Sequence, residues 1–104
     1  MFARNVTLQL KPNSAANFTT TLEKSVLPVL RKQAGFKDEI SFLAADGKEA
    51  VAISLWETKD AAERYSREAY PGVLKSLQEV VEGTPKVKSF DVANSTFHKI
   101  ASQI

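Results

Sequence analysis

The 104-residue chain predicts an α+β fold in which a four-stranded antiparallel sheet is covered by helices. Three observations carry this expectation. The N-terminal stretch alternates apolar and polar residues with a period of two, and two later segments repeat apolar residues at helical spacing. Between those segments, two apolar runs flank Asp46-Gly47, a hairpin dipeptide. In chain order the elements read β-α-β-β-α-β, the split βαβ arrangement of ferredoxin-like domains.

The first strand spans about Ala3 to Lys11, with Val6, Leu8 and Leu10 on one face and Asn5, Thr7 and Gln9 on the other. Pro12-Asn13-Ser14 stops it and offers Asn13 or Ser14 as a helix N-cap. Phe18, Leu22, Val26, Val29 and Leu30 then share a helical face to about Gln33. Pro28 falls late in this helix, where a missing backbone donor should bend the last turns; Gly35 is the expected stop. The run "FKDEISFLAADGKEAVAISLWE" is the hairpin. Asp46-Gly47 suits a two-residue type I′ turn, whose central residues both need positive φ. Ile40 and Phe42 share one face of the hairpin's first strand, and Val51, Ile53 and Leu55 one face of its second. A helix from about Lys59 to Ala69 is broken at Tyr70-Pro71-Gly72, and Pro71 opens the next helix. That helix is expected to carry Val73, Leu77, Val80 and Val81 to Gly83, before a last strand from about Lys86 to Lys99.

The sheet faces set an expectation about assembly. If Val6, Leu8 and Leu10 join Ile40, Phe42, Val51, Ile53 and Leu55 beneath the helices, the other face carries Asn5, Thr7, Gln9, Ser41, Leu43, Ala50, Ala52, Ser54, Trp56, Phe90 and Val92. Such a face is too apolar for open water and too polar for a dry core. It suits a lumen closed by a second copy, so a homodimer is expected.

Composition removes other classes. At 43% hydrophobic and 25% charged residues the chain is neither disordered nor membrane-spanning, and it has the size of one domain over 1–104. A net charge of +2 is too weak to point to nucleic acid or an anionic membrane. The topology also suits an RNA-recognition motif, but "EAVAISL" lacks the mid-strand aromatics that stack bases. The absence of cysteine removes thiolate chemistry and disulfides; with His98 the sole histidine, a transition-metal site within one chain is not expected. No Gly-x-Ser-x-Gly turn presents a nucleophile, and the four glycines form no phosphate loop. The N-terminus alternates as a strand and does not read as a leader peptide, so a cytoplasmic protein is the expectation.

The segments "RNVTLQLKPNSAANF", "LRKQAGFKDE", "ISLWETKDAAERY" and "YPGVLKSL" resemble the antibiotic-biosynthesis monooxygenase family of dimeric α/β barrels, and the likeness runs from Ala3 to Phe97. The resemblance implies a homodimer of facing sheets, with small-molecule pockets between each sheet and its helices. Its members include oxygenases that need no cofactor and act on polycyclic phenols, quinol oxidases, and haem-degrading oxygenases. In the haem-degrading branch an asparagine, a tryptophan and an axial histidine are used. Asn5 could match the first, Tyr65 stands at the second, and Lys75 falls at or near the third, so haem ligation is disfavoured.

The expectation is thus a monooxygenase without cofactor or metal, acting on a small phenolic or quinol substrate. The alternative is a non-catalytic dimeric binding or stress-response protein. Asn5 and His98 are the candidate catalytic residues, one to hold a substrate oxygen and one as base. Each also has a bland reading, a cross-strand hydrogen bond for Asn5 and an exposed or interface imidazole for His98. Trp56, Tyr65 and Tyr70 are candidates for substrate binding, as stacking walls for a flat aromatic and as part of a lid. Trp56 could equally seal a rim, and Tyr65 could be a core tyrosine with a satisfied hydroxyl.

Overall fold

A computed structural model describes residues 1–97 of the chain. Its elements are β1 (Phe2–Leu10), α1 (Ala15–Thr21), a π-helical turn (Leu22–Val26), α2 (Leu27–Arg31), β2 (Phe36–Leu43), β3 (Glu49–Trp56), α3 (Lys59–Glu68), α4 (Tyr70–Leu77) and β4 (Val81–Asp91). The strands form one antiparallel sheet in the order β2-β3-β1-β4. This is the ferredoxin-like β-α-β-β-α-β arrangement, with every helix that lies between strands packed over one sheet face.

Local chemistry explains most boundaries. Ser14 occupies the N-cap of α1, but its hydroxyl makes no cap bond and instead donates to the Pro12 carbonyl at 3.4 Å. The first helix absorbs Pro28 by a change of hydrogen-bond register ahead of it. The Leu27 N–H reaches back five residues to the Leu22 carbonyl, and Pro28 then stands at the start of α2, where a missing donor costs nothing. The hairpin turn also departs from expectation. The Gly47 N–H bonds the Ala44 carbonyl at 2.9 Å, and of the Asp46-Gly47 pair only Gly47 has positive φ, at 70°. Asp46 contributes through its side chain, accepting from the Lys48 N–H at 2.9 Å.

Val80 and Val81 lie outside the helix, Val80 in the turn after it and Val81 at the start of β4. α4 ends at Leu77, the Lys11 N–H bonds the Val80 carbonyl at 3.0 Å, and Val81 pairs with Leu10. Backbone pairing with β1 outcompetes another helical turn for two β-branched residues. β4 therefore starts at Val81, well before Lys86, and it ends at Asp91. Its pairing with β1 shifts register between Thr7 and Gln9.

The largest correction concerns the two faces of the sheet. Within the hairpin, Ile40 pairs with Ile53 and Phe42 with Val51, so these residues do share a face. That face, however, joins the Asn5 side of β1: Thr7 pairs with Val51 and Asn5 with Ile53. Beneath the helices, Leu8 lies beside Ala50, Val6 beside Ala52, Arg4 beside Ser54 and Phe2 beside Trp56. The small residues of β3 leave room for the bulk that the helices bring down, including Phe18, Leu22, Val26, Leu30, Tyr65 and Leu77. Ile40, Phe42 and Phe90 remain 46%, 50% and 45% exposed on the opposite, open face. No helix among the described residues is long and apolar enough to cross a membrane.

Candidate small-molecule site

One transverse row of the covered face is polar. Arg4 of β1, Ser54 of β3 and Glu39 of β2 are successive register partners across three strands. Two aromatic side chains descend onto this row. Thr58 caps α3 by accepting from the Ala61 N–H at 3.1 Å, which fixes where that helix begins. One side of α3 then buries Ala62 and Tyr65. Pro71 cannot continue the α3 ladder, so Ala69 becomes the joint between two helices and Tyr70 opens α4 next to Tyr65.

The result is a chain of rings. Phe36 meets Trp56 edge-on at 5.5 Å, Trp56 stacks on Tyr65 at 4.9 Å, and Tyr65 lies 6.0 Å from Tyr70. Arg4 ends the chain, its guanidinium 4.3 Å from the Tyr70 ring centre and 5.2 Å from that of Tyr65. Trp56 is fully buried, and its indole N–H donates to the Ser54 hydroxyl at 2.8 Å. Behind this group the loop before β2 presses on α3. A Cβ on Gly35, whose φ is 81°, would stand 2.6 Å from the Ala61 methyl, and the Glu57 N–H bonds the Gly35 carbonyl at 2.7 Å.

Between row and helices lies a cavity of about 40 Å³. Arg4, Glu39, Ser54, Tyr65 and Tyr70 supply its polar lining, and side chains such as Val6, Leu22 and Leu77 its apolar walls. The volume corresponds to roughly three water molecules. A polycyclic ligand would enter only if side chains moved.

Burial sets the protonation states. The Tyr65 phenol is pushed up to about 12 by desolvation, against the opposing pull of Arg4. Burial raises Tyr70 as well, again partly offset by Arg4. Arg4 is close enough to bias that phenol, yet no bond of normal geometry joins them; the Tyr70 hydroxyl is buried without a hydrogen-bond partner. Desolvation also raises the Glu39 carboxyl, and the Ser41 hydroxyl, donating at 2.6 Å, partly counters it. Both phenols therefore keep their protons near neutrality, and Glu39 is a stronger base than an exposed carboxylate.

Of the residues singled out from sequence, Tyr65 and Tyr70 line the cavity together. Trp56 backs Tyr65 from outside the lining. Asn5 lies on the open sheet face between Ile53 and Lys88, so it is not brought to Tyr65 and Tyr70. Its pleat position points away because it alternates with Arg4 and Val6. His98 lies outside the described residues. Arg4 and Glu39 were missed. Arg4 shares the parity of Val6, Leu8 and Leu10, so the period of β1 extended one step back would have pointed to it. Glu39 was hidden by the inverted placement of the hairpin. Among the described residues no three His, Cys, Asp or Glu side chains cluster as metal ligands. Haem does not fit either: Tyr65 is sealed between Trp56 and Tyr70, and Lys75 is exposed.

No protein-family model matches the chain, and no curated protein matches it in sequence. Solved structures do match in fold. A monooxygenase from the gene ActVA-Orf6 of Streptomyces coelicolor, in complex with nanaomycin D, superimposes with a TM-score of 0.76 at 18% identity, over 90% of this chain and 88% of that one. SnoaB, a cofactor-independent oxygenase from Streptomyces nogalater, gives 0.75 at 15% identity, over 91% and 95%. A structure from Bordetella bronchiseptica named for antibiotic biosynthesis monooxygenase gives 0.74 at 14%, over 88% and 95%. Another protein of this fold is of unknown function. The chain thus has the fold seen in structures that bear the antibiotic biosynthesis monooxygenase name.

Proposed function

We propose that this chain is an oxygenase that needs no cofactor and acts on a small phenolic or quinol substrate held between sheet and helices. The observation that carries the reading is the meeting of Tyr65, Tyr70 and a partly desolvated Glu39 carboxylate around one space between sheet and helices. Glu39 is the base this cavity offers among the described residues. It would take a proton from the substrate, whose anion then reduces dioxygen directly. For an activated methylene, one oxygen atom stays as the new carbonyl and the other leaves as water, the substrate supplying both hydrogens. The names of two structures of this fold support the chemistry.

The same proposal includes a homodimer. Among the described residues Ile40, Phe42 and Phe90 stay about half exposed and leave one sheet face apolar, and a second copy is the expected cover. Asn5 and Lys88 would then lie in the subunit interface rather than in the cavity.

The small cavity favours one competing reading, a dimer that binds a small molecule without turning it over. Dioxygen uptake with a series of single-ring phenols and hydroquinones separates the two. Wild-type protein should consume dioxygen and leave one of its atoms as a new carbonyl in a quinone product, the other departing as water, traced with 18O2. Glu39→Gln should lower kcat by roughly a hundredfold while remaining folded. Binding of these compounds with no dioxygen uptake would reject the oxygenase.

A further inference from the structure

We infer that the ligand of this cavity is a small organic oxyanion, with its charge held by Arg4 and an oxygen of the same group bonded by the Tyr70 hydroxyl. The inference deepens the proposed function and rests on its premise that a ligand enters between sheet and helices.

The argument begins with an uncompensated charge. Arg4 is only 4% exposed, and a guanidinium stays ionised in any protein environment. Buried charges are ordinarily paired. Among the described residues no carboxylate forms an ion pair with Arg4. Its neighbours across the sheet are Ser54 and Ser89, and Glu39 lies one strand further, roughly 10 Å away at normal strand spacing. Above it stand two phenol rings that remain protonated. Their faces compensate the cation in part and supply no counter-charge.

A second, independent feature points the same way. The Tyr70 hydroxyl is buried without a partner, in the cavity that Arg4 also lines. An oxyanion beside the guanidinium would accept from that hydroxyl and satisfy both groups with one ligand atom set. Apart from Ser54, Tyr65 and the more distant Glu39, the walls are apolar, so the body carrying the charge is largely hydrocarbon. At about 40 Å³ the space takes a carboxylate-sized group as it stands, so the body is at most a single ring, admitted as side chains move. Carboxylate and phenolate share the required chemistry.

The experiment is calorimetric titration of wild-type protein with benzoate, with 4-nitrophenolate and with benzamide, a neutral analogue of benzoate. At least one anion should bind tenfold or more tightly than benzamide, and the stronger of the two identifies the oxyanion class. Arg4→Met should remove that preference, and Tyr70→Phe should weaken the anion severalfold. Arg4→Met should also melt no lower than wild type, because it removes an unpaired buried charge; a large fall would mark Arg4 as a structural staple and count against the inference. If Arg4→Met does not fold, the wild-type ratio of anion to benzamide decides. Equal binding of anion and amide, or no anion binding up to about 10 mM, overturns the inference. Benzoate cannot be oxygenated here, so its binding is read without turnover. Anion binding without dioxygen uptake would reject the oxygenase alone, whereas oxygenation without charge preference would reject the oxyanion alone.

Discussion

The two faces of one sheet solve opposite problems. The covered face takes small residues on β3, Ala50, Ala52 and Ser54, and receives its bulk from the helices. It also carries a row of polar groups, the buried Arg4 and Ser54 and the half-buried Glu39, whose environment is set by the rings above them. The open face holds the bulky β-branched and aromatic residues of β2, β3 and β4 with no helix above them among the described residues. A helix-covered sheet needs vacancies where side chains descend, and those vacancies are where a ligand space can persist. In the proposed dimer the open face would meet another sheet, and such a face needs protruding bulk. The contrast teaches that bulk on a strand need not point to the chain's own core.

The strongest way to break the covered face is Trp56→Ala. Removing a fully buried indole that stacks on Tyr65 should cost about 3–5 kcal/mol, measured as a lowered midpoint in chemical denaturation. On the open face, Phe42→Asp should leave the fold of the subunit in place but weaken self-association by about 2 kcal/mol or more, seen by sedimentation velocity across a concentration series. A sedimentation profile that is monomeric for both proteins would remove the interface. Gly35→Ala probes the joint behind the site. It adds a methyl at positive φ and only 2.6 Å from Ala61, so a loss of about 2 kcal/mol is expected by thermal denaturation. Thr58→Ala removes the cap of α3 that presents Tyr65, with an expected cost of about 1 kcal/mol and no change in association.

The smallest effect is a pH dependence confined to the covered face. Burial raises the Glu39 carboxyl above its unfolded value. Its favourable contribution is therefore complete below the ordinary carboxylate range and is lost as pH rises through the raised value. Glu39→Gln keeps an acceptor for Ser41 and cannot ionise. Its stability relative to wild type should improve as pH climbs from acid to neutral, in parallel denaturation curves. A difference that does not change with pH would mean that the folded and unfolded carboxyls titrate alike.

Much of this architecture follows from local chemistry. Alternation in β1, the partnering of Ile40 and Phe42 with Ile53 and Val51, and the Pro71 break that sets Tyr70 beside Tyr65 all follow from short-range rules. The ends of α4 and β4 do not. Val80 and Val81 suit either helix or strand, and the choice came from a backbone bond between Lys11 and Val80. Asn5 illustrates the same limit at the level of function. Its residue type suits an oxygen-binding role, but its parity sends it to the open face.

By itself the sequence determined the order of elements, the pairing within the hairpin and the aromatic pair at the helix break, because each depends on neighbours a few residues apart. Only the tertiary structure decided which hairpin face meets the helices. β1 and β3 are joined through a helical crossover that carries no memory of side-chain parity, and with a period of two a strand has just two choices. That single choice put Glu39 on the lining of the same cavity as Arg4, two strands away, and left Ile40, Phe42 and Phe90 outside it.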